Sequence, residues 1–443
     1  SPRPSVPALK TRQVNGPEQV TNLPQKGGYA LAVAPELIRG VVYNPSHDWR
    51  DGYHPLTRKK LLNDFRAMQD MGANTIRRYF PSIYDRNLLS VADEVGMYVW
   101  YGFWMDPKID YLTDTLAVWE QEQKILERVQ KLQGESSIIT WNLGQECWTQ
   151  LATYFNPLYV PQVRLAYLRS LERLADKIHQ LDTKRPVAIA VRDHDDLGAV
   201  LRAHRQYSPS IDIYGVNSFY ASHQRRLDAL MKRQIPDRQY IFSEFGPGGY
   251  WDFAKTETDS KELWVEPSDF EKADQLKQVW TDYIEARPGQ NIGGFAFCWQ
   301  DRLEGTATWY GLTDGQGHKK ASYYALKKVW SGGEVVFALH DAYLVAPLEI
   351  PGYRPYLPFW AVSQANTLDW VDYEWWIMRQ DDLKGAGEVR VKMEGQRGDV
   401  MLPLPAGTYR VYVKIYDEFG HAVTASHGFQ VTDEMLQPPV MAP

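Results

Sequence analysis

Hydrophobic and β-branched residues gather in short runs along the chain, each followed by a longer segment whose apolar positions recur every three or four residues. The short runs read as buried strands and the longer segments as amphipathic helices. From Ile38 onward the two alternate. Strands are predicted at 38–43, 75–79, 98–103, 138–143, 187–190, 211–216, 240–245 and 294–299, and helices at 58–71, 116–132, 163–181 and 270–286 among others. In the first of these helices Leu61, Leu62, Phe65 and Met68 form the apolar stripe. Eight successive strand–helix units predict an α/β fold, a closed (β/α)8 TIM barrel, over 36–332. The glycine-rich first turn of a doubly wound nucleotide-binding sheet is missing, as is a P-loop.

Past Trp330 the pattern changes to Pro- and Gly-punctuated alternating segments at 388–393, 400–404, 408–416 and 422–431. They predict a small C-terminal β-sandwich, immunoglobulin-like, over 333–443. Between Tyr409 and Tyr416 the period of two gives one buried and one solvated face. Such a module serves as a spacer, packs on the barrel or binds carbohydrate. The first 35 residues read as a linker-like segment, with Ser1 to Pro24 rich in Pro and polar residues. A linker of that kind suits a chain with an upstream domain or anchor, and predicts a secreted, periplasmic or cell-surface location.

A length of 443 residues exceeds what one core usually organises, which agrees with two domains. The formal net charge of -6 gives no cationic field for nucleic acid or acidic membrane, and no apolar run is long enough to span a bilayer. Cys147 and Cys298 are the only cysteines, so no disulfide framework is expected. The 16 Trp and 27 Tyr fit either an aromatic-rich core or the flat ring platforms of a sugar cleft.

Barrel active sites lie at the C-terminal ends of the strands, so the residues that end the eight runs carry the chemistry. Two glutamates stand out: Glu146, which closes Ile138-Ile-Thr-Trp-Asn-Leu-Gly-Gln-Glu146, and Glu244 in Tyr240-Ile-Phe-Ser-Glu244-Phe-Gly246. A carboxyl group ending a buried strand is costly unless it is paired or faces a cleft. Retaining glycoside cleavage needs two carboxyl groups about 5 to 5.5 Å apart, one to protonate the leaving oxygen and one to attack the anomeric carbon. Their pKa values must be held apart. Trp148 and the apolar surroundings of strand four would favour the protonated form of Glu146, and a cation near Glu244 its ionised form. Arg77 and Arg78 point to opposite sides of strand two, so one of them, Arg77, supplies that cation.

The motifs resemble those of the clan of retaining glycosidase barrels with an acid/base on strand four and a nucleophile on strand seven. Thr75-Ile-Arg77 resembles the strand-two arginine motif, Trp141 to Glu146 the acid/base motif, Phe242 to Gly246 the nucleophile motif, and Phe297 to Asp301 the end of strand eight. The barrels of β-galactosidases and β-glucuronidases and the fungal β-1,3-glucanosyltransferases are similar in flavour. The last group also shares the look of Arg39-Gly-Val-Val-Tyr43 and Gly311-Leu-Thr-Asp-Gly315. The resemblance implies that Trp299 floors a sugar subsite and that the residue before the acid/base binds the sugar 2-hydroxyl. The clan has Asn there and this chain has Gln145. It also implies a strand-six tyrosine on the nucleophile, where Phe219 stands with Tyr220 beside it; Asn217 in the same segment and Asp301 are further substrate-binding candidates.

Tyr43, Tyr101, Trp104, Asp193, His194 and Asp195 follow strand ends suited to stacking sugars or binding hydroxyls. His47, Asp48 and His54 lack a metal spacing, Ser243 lacks a nucleophile elbow, and Cys147 is expected to pack under its loop. No metal or cofactor is predicted. The sequence therefore predicts a retaining glycosidase acting on a β-linked poly- or oligosaccharide, with β-glucan implied by the resemblance alone. A transglycosylase using the same glutamates is the first alternative. A non-catalytic carbohydrate-binding barrel is the second.

Overall fold

The computed structural model describes residues 37–45, 47–48, 52–53, 55–251, 263–287, 289–332, 341–347, 352–363, 371–380 and 391–438. The predicted linker, His54, the side chains of His47 and Asp48, and the start of the segment at 388–393 lie outside the described residues.

Eight parallel strands close into a barrel: β1 (Ile38–Val42), β2 (Thr75–Arg78), β3 (Tyr98–Phe103), β4 (Ile138–Leu143), β5 (Val187–Arg192), β6 (Ile213–Asn217), β7 (Gln239–Phe245) and β8 (Asn291–Ala296). Each pairs with its neighbour in sequence, and β8 returns to β1 with Ile38 opposite Gly293 and Val41 opposite Ala296. Most barrel strand residues are buried, which is why they read as continuous apolar runs rather than alternating ones.

Around them lie α1 (Arg58–Asp70), α2 (Asp85–Val95), α3 (Thr115–Leu132), α4 (Cys147–Tyr154), α5 (Val160–Leu181), α6 (Leu197–Tyr207), α7 (Ala221–Gln234), α8 (Asp269–Val279) and α9 (Ala321–Ser331). Thr57 caps α1 by accepting from Lys60 N, and Ser268 with Glu271 forms a capping box at α8. The helix predicted at 270–286 is α-helical only to Val279 and then widens into a π-helical turn over Trp280–Glu285. Two helices, α4 and α5, follow β4.

Alternation sorts the side chains into two cores. Ile38, Trp100, Ile139, Ile213, Ile241 and Phe295 fill the barrel, while Val41, Phe65, Ile76, Trp141, Leu171 and Tyr240 pack between strands and helices. Gly40 belongs to the inner set because a Cβ there would lie 2.2 Å from the Phe295 ring.

The C-terminal module is a β-sandwich. One sheet pairs β9 (Ala342–Val345), β10 (Tyr356–Ser363), β13 (Arg397–Met401) and β12 (Val391–Glu394) in that order; the other pairs β11 (Val371–Arg379), β14 (Gly407–Asp417) and β15 (Ala422–Val431). Leu357, Phe359, Trp375, Val400, Val411 and Val413 fill the space between the sheets. The first three of these strands are absent from the sequence prediction.

Barrel and sandwich meet through a buried polar seam. Thr424 donates its N–H (2.7 Å) and hydroxyl (3.0 Å) to Asp269, and Lys414 pairs with Asp314 and Glu374, each at 2.9 Å. Glu266 accepts from Lys272 at 2.7 Å and from the Ser426 hydroxyl. Burial would raise its pKa, but Lys272 and Arg410 prevail and hold it down to about 2. Among the described residues no helix is long and apolar enough to cross a membrane.

Candidate active site

The ends of β4, β5, β6 and β7 place four polar side chains side by side around the barrel mouth. Register sets Arg192 opposite Asn217 and Asn217 opposite Glu244, while Glu146 N–H donates to Ala190 O at 2.9 Å. Glu146 is the one non-glycine residue with positive φ (53°) among the described residues, and it follows Gly144 at φ 83°. Left-handed backbone costs a non-glycine residue on the order of 1 kcal/mol, and here it swings the glutamate from the strand into the mouth.

Three donors converge on Oε1 of Glu244. Arg77 Nη1 lies at 3.2 Å and Gln145 Nε2 at 2.7 Å, and the Tyr79 hydroxyl completes the set. That leaves Oε2 without a partner among the described residues. Arg77 also donates to Ser243 O (2.7 Å) and to Gln145 Oε1, and its guanidinium sits 4.8 Å from the Tyr79 ring centre. Burial pushes the Glu244 carboxyl up to about 7; Arg77 and Tyr79 oppose this, and Glu146 and Glu304 add to it.

Glu146 is held from both sides. Oε2 accepts from Arg192 Nε (2.9 Å) and Nη2 (2.7 Å), and Oε1 accepts from Asn217 Nδ2 (2.9 Å). The Ser243 hydroxyl donates to Asn217 Oδ1 at 2.7 Å, which fixes which end of the amide faces Glu146.

Glu146, Glu244, Arg77, Gln145 and Asn217 are therefore assembled in one mouth. Arg78 points outward to Tyr43 O at 2.8 Å, as strand alternation requires. The desolvating surroundings expected at Glu146 are found at Glu244 instead. Trp148 packs under the Arg164 guanidinium and beside His204. Gln145 differs from its predicted role too: the extra methylene lets its amide bridge Arg77 and Glu244, so both ends of the group are used within the protein.

Other candidates are corrected outright. Tyr43 and Tyr101 are buried against the helix layer, with their hydroxyls on Asp64 and Asp85. Trp299 is buried with its ring against Tyr323 of α9: regular β8 ends at Ala296, three residues earlier than predicted, and although Trp299 N–H still donates to Val42 O of β1 at 3.0 Å, its side chain lies on the helix side. Phe297 occupies the mouth side instead, packed with Tyr79, Phe219 and Tyr310. Asp301 is buried under the loop, accepting from Gly311 N (2.9 Å) and Lys320 (3.1 Å); burial lifts it to about 6 against the pull of Lys320.

Tyr220 packs on His223 and lines a groove of about 440 Å³ between α7 and α8, together with Phe219, Gln275, Tyr283 and Trp309. Tyr79 occupies the position on the nucleophile candidate expected for Tyr220. Trp104 stands 41% exposed just past β3. Asp193 is buried under Ser218 and His223, and His194 and Asp195 are exposed on the surface. Cys147 is buried and its thiol pushed up by burial, with Tyr111 and Tyr167 as partners.

Tyr79, Arg192, Ser243 and the Arg302–Glu304 pair (3.2 Å) are site residues the sequence reading missed. Tyr79 was signalled by its place two residues from Arg77 on one strand. Arg192 was hidden because strand five was ended at Ala190.

With this geometry in place, solved structures support the fold: the chain is similar in structure to a β-glucuronidase and a β-galacturonidase. Bacteroides uniformis β-glucuronidase matches with a TM-score of 0.51 at 19% identity, over 89% of this chain and 46% of that one. A calcium-binding mutant of B. uniformis β-glucuronidase 2 gives 0.52 at 20% identity, over 90% and 46%. A β-galacturonidase from Eisenbergiella tayi bound to galacturonate gives 0.51 at 16% identity, over 68% and 52%. The chain spans about half the length of these proteins. No family profile and no curated protein matches the sequence.

Proposed function

We propose that this chain breaks β-glycosidic bonds with retention of configuration, with Glu244 as nucleophile and Glu146 as proton donor and acceptor. The observation that carries the reading is the gathering of Arg77, Tyr79 and Gln145 on one oxygen of Glu244, with Glu146 three strands away around the same mouth and close enough for its charge to act on Glu244. Donors fixed on Oε1 orient the carboxylate and present Oε2 to the anomeric carbon. In the first step Oε2 bonds to that carbon as the C–O bond to the leaving group breaks, and the proton of Glu146 passes to the leaving oxygen. In the second step Glu146 takes a proton from the acceptor, whose oxygen displaces Glu244. Water as acceptor gives hydrolysis; a sugar hydroxyl gives transglycosylation.

A β-glucan is the first substrate to test, on the motif resemblance. β-Glucuronides and β-galacturonides follow, because the fold neighbours act on those. A panel of 4-nitrophenyl β-glycosides (glucoside, galactoside, xyloside, mannoside, glucuronide, galacturonide) and β-glucan oligosaccharides tests the reading in wild type, Glu146→Gln and Glu244→Gln. Turnover in wild type that falls at least about a thousandfold in Glu244→Gln supports it. Equal turnover in all three proteins rejects it. Longer products with an oligosaccharide acceptor mark transfer; shortened products alone mark hydrolysis.

A further inference from the structure

Arg302 and Glu304 stand in the loop after β8, and the reaction proposed above uses neither. Arg302 Nε lies 3.2 Å from Oε2 of Glu304, and its guanidinium covers the Phe297 ring at 5.4 Å from the centre. Phe297 packs with Tyr79, whose hydroxyl donates to Glu244, so the pair sits on the aromatic wall beside the proposed nucleophile. We propose that Glu304 is a specificity-determining residue that accepts hydrogen bonds from hydroxyls of the sugar held over Glu244, so that the mouth takes neutral β-glycosides and rejects uronic acids. The inference rests on the glycosidase reading and names its substrate class.

The loop holds Glu304 in place from both sides. Its N–H donates to Thr306 O at 3.2 Å, and Gly305, at φ 76°, lies so close to Tyr250 that a Cβ would meet the ring at 2.5 Å. Before the pair, Asp301 is tied to Gly311 and Lys320. After it, Ala307 N–H donates to the Tyr412 hydroxyl at 3.1 Å, and Tyr412 stacks on Trp376 of the sandwich with ring centres 5.1 Å apart. A carboxylate presented by such a loop needs little ordering when sugar binds.

The Glu304 side chain is 28% exposed, and among the described residues no hydrogen bond reaches its carboxylate; the Arg302 contact is an ion pair only. An ionised carboxylate can only accept, and leaving a largely buried one without donors is costly. Sugar hydroxyls are such donors. Burial raises the Glu304 carboxyl, Arg302 opposes this and Glu146 adds to it, while Glu304 adds to the lift on Glu244. All three carboxylates thus share one mouth.

Charge balance sets the preference. Each of the three arginines at the mouth already meets a carboxylate: Arg77 with Glu244 at 3.2 Å, Arg192 with Glu146 at 2.7 Å, and Arg302 with Glu304. A uronic acid would bring a fourth negative charge to three arginines already engaged. A neutral sugar brings none and gains an acceptor for its hydroxyls.

The test compares the neutral 4-nitrophenyl β-glycoside accepted in the panel with the glucuronide and the galacturonide. Wild type is expected to favour the neutral sugar by at least about a hundredfold in kcat/KM. Glu304→Gln removes the charge and leaves Arg302 without its counter-ion. Its kcat/KM is expected to fall about ten- to a hundredfold on the neutral glycoside and to rise on a uronide, a gain that general damage to the site does not produce. Deoxy analogues lacking one hydroxyl at a time locate the contact: at the hydroxyl Glu304 holds, wild type and Glu304→Gln should agree within about twofold.

A wild-type preference for either uronide would overturn the proposal. So would Glu304→Gln losses that are equal on every glycoside, which mark a structural role, or no change at all. Glu244→Gln run alongside separates the two layers. If it turns over the panel like wild type, or wild type cleaves nothing in the panel, the glycosidase reading fails and this inference with it. If Glu244→Gln is inactive while Glu304→Gln keeps the wild-type ratio of neutral to uronide turnover, the Glu304 proposal alone is refuted.

Discussion

Arg77 and Tyr79 stand two residues apart on one side of the second barrel strand region, and both donate to the same oxygen of Glu244. Their separation from Glu244 in sequence is 167 and 165 residues, so barrel closure alone brings them together. Both act against the burial that lifts this carboxyl to about 7.

Removing Tyr79's hydroxyl takes away a contact that lowers the pKa of Glu244. Since the proposed nucleophile must be ionised, activity rises as pH climbs through its pKa. The acidic limb of kcat/KM is therefore expected near pH 7 in wild type and at higher pH in Tyr79→Phe, with about a tenfold loss at pH 6. Rate profiles from pH 5 to 9 check this. An acidic limb that stays in place contradicts the role of Tyr79.

The same carboxyl makes stability depend on pH. Its folded pKa lies above the ordinary 4.5, so the native state binds more protons and the contribution of Glu244 is lost as pH rises from about 4.5 through about 7. Glu244→Gln lacks that loss. Its stability relative to wild type should grow between pH 5 and 8, by up to roughly 3 kcal/mol. Urea denaturation at the two pH values measures the difference; a constant gap would show that Glu244 titrates normally.

Ser243 sets the orientation of the Asn217 amide, and through it one contact to Glu146. Ser243→Ala leaves that amide free to turn its oxygen toward the carboxyl. A fall in kcat of about tenfold with little change in KM is expected, worth one hydrogen bond of roughly 1.4 kcal/mol. A change confined to KM would assign Ser243 to substrate binding instead.

At the barrel–sandwich seam Asp269 accepts twice from Thr424 and lies 3.5 Å from both Lys272 and Lys320. Asp269→Ala strands two buried ammonium groups beside each other with fewer counter-charges. A loss of roughly 3–5 kcal/mol is expected in equilibrium unfolding. An effect below about 1 kcal/mol would place the seam among the surface ion pairs.

Much of the barrel was legible because buried parallel strands are continuous apolar runs. Tyr98–Phe103 and Ile138–Leu143 have the bounds the sequence predicts. Strand eight was not, since Gly293 and Gly294 interrupt its run, and the three-residue error carried Trp299 to the wrong side. The first sandwich strands were obscured for a related reason. Pro358 sits inside β10 on the outer face, and β11 carries Asp372 and Glu374 among its aromatics. The two glutamates could be read from strand ends, whereas the swap of Tyr79 for Tyr220 and the guanidinium of Arg192 depend on how strands lie around the closed mouth.

The most direct test of the central claim uses Glu244→Gly with an activated β-glycoside and sodium azide. Removing the carboxylate leaves space where the covalent bond would form, and azide enters from the same face. The account predicts that azide restores turnover and yields the α-glycosyl azide. A β-glycosyl azide, or no response to azide while Glu146→Gly does respond, would contradict the assignment of Glu244 as nucleophile.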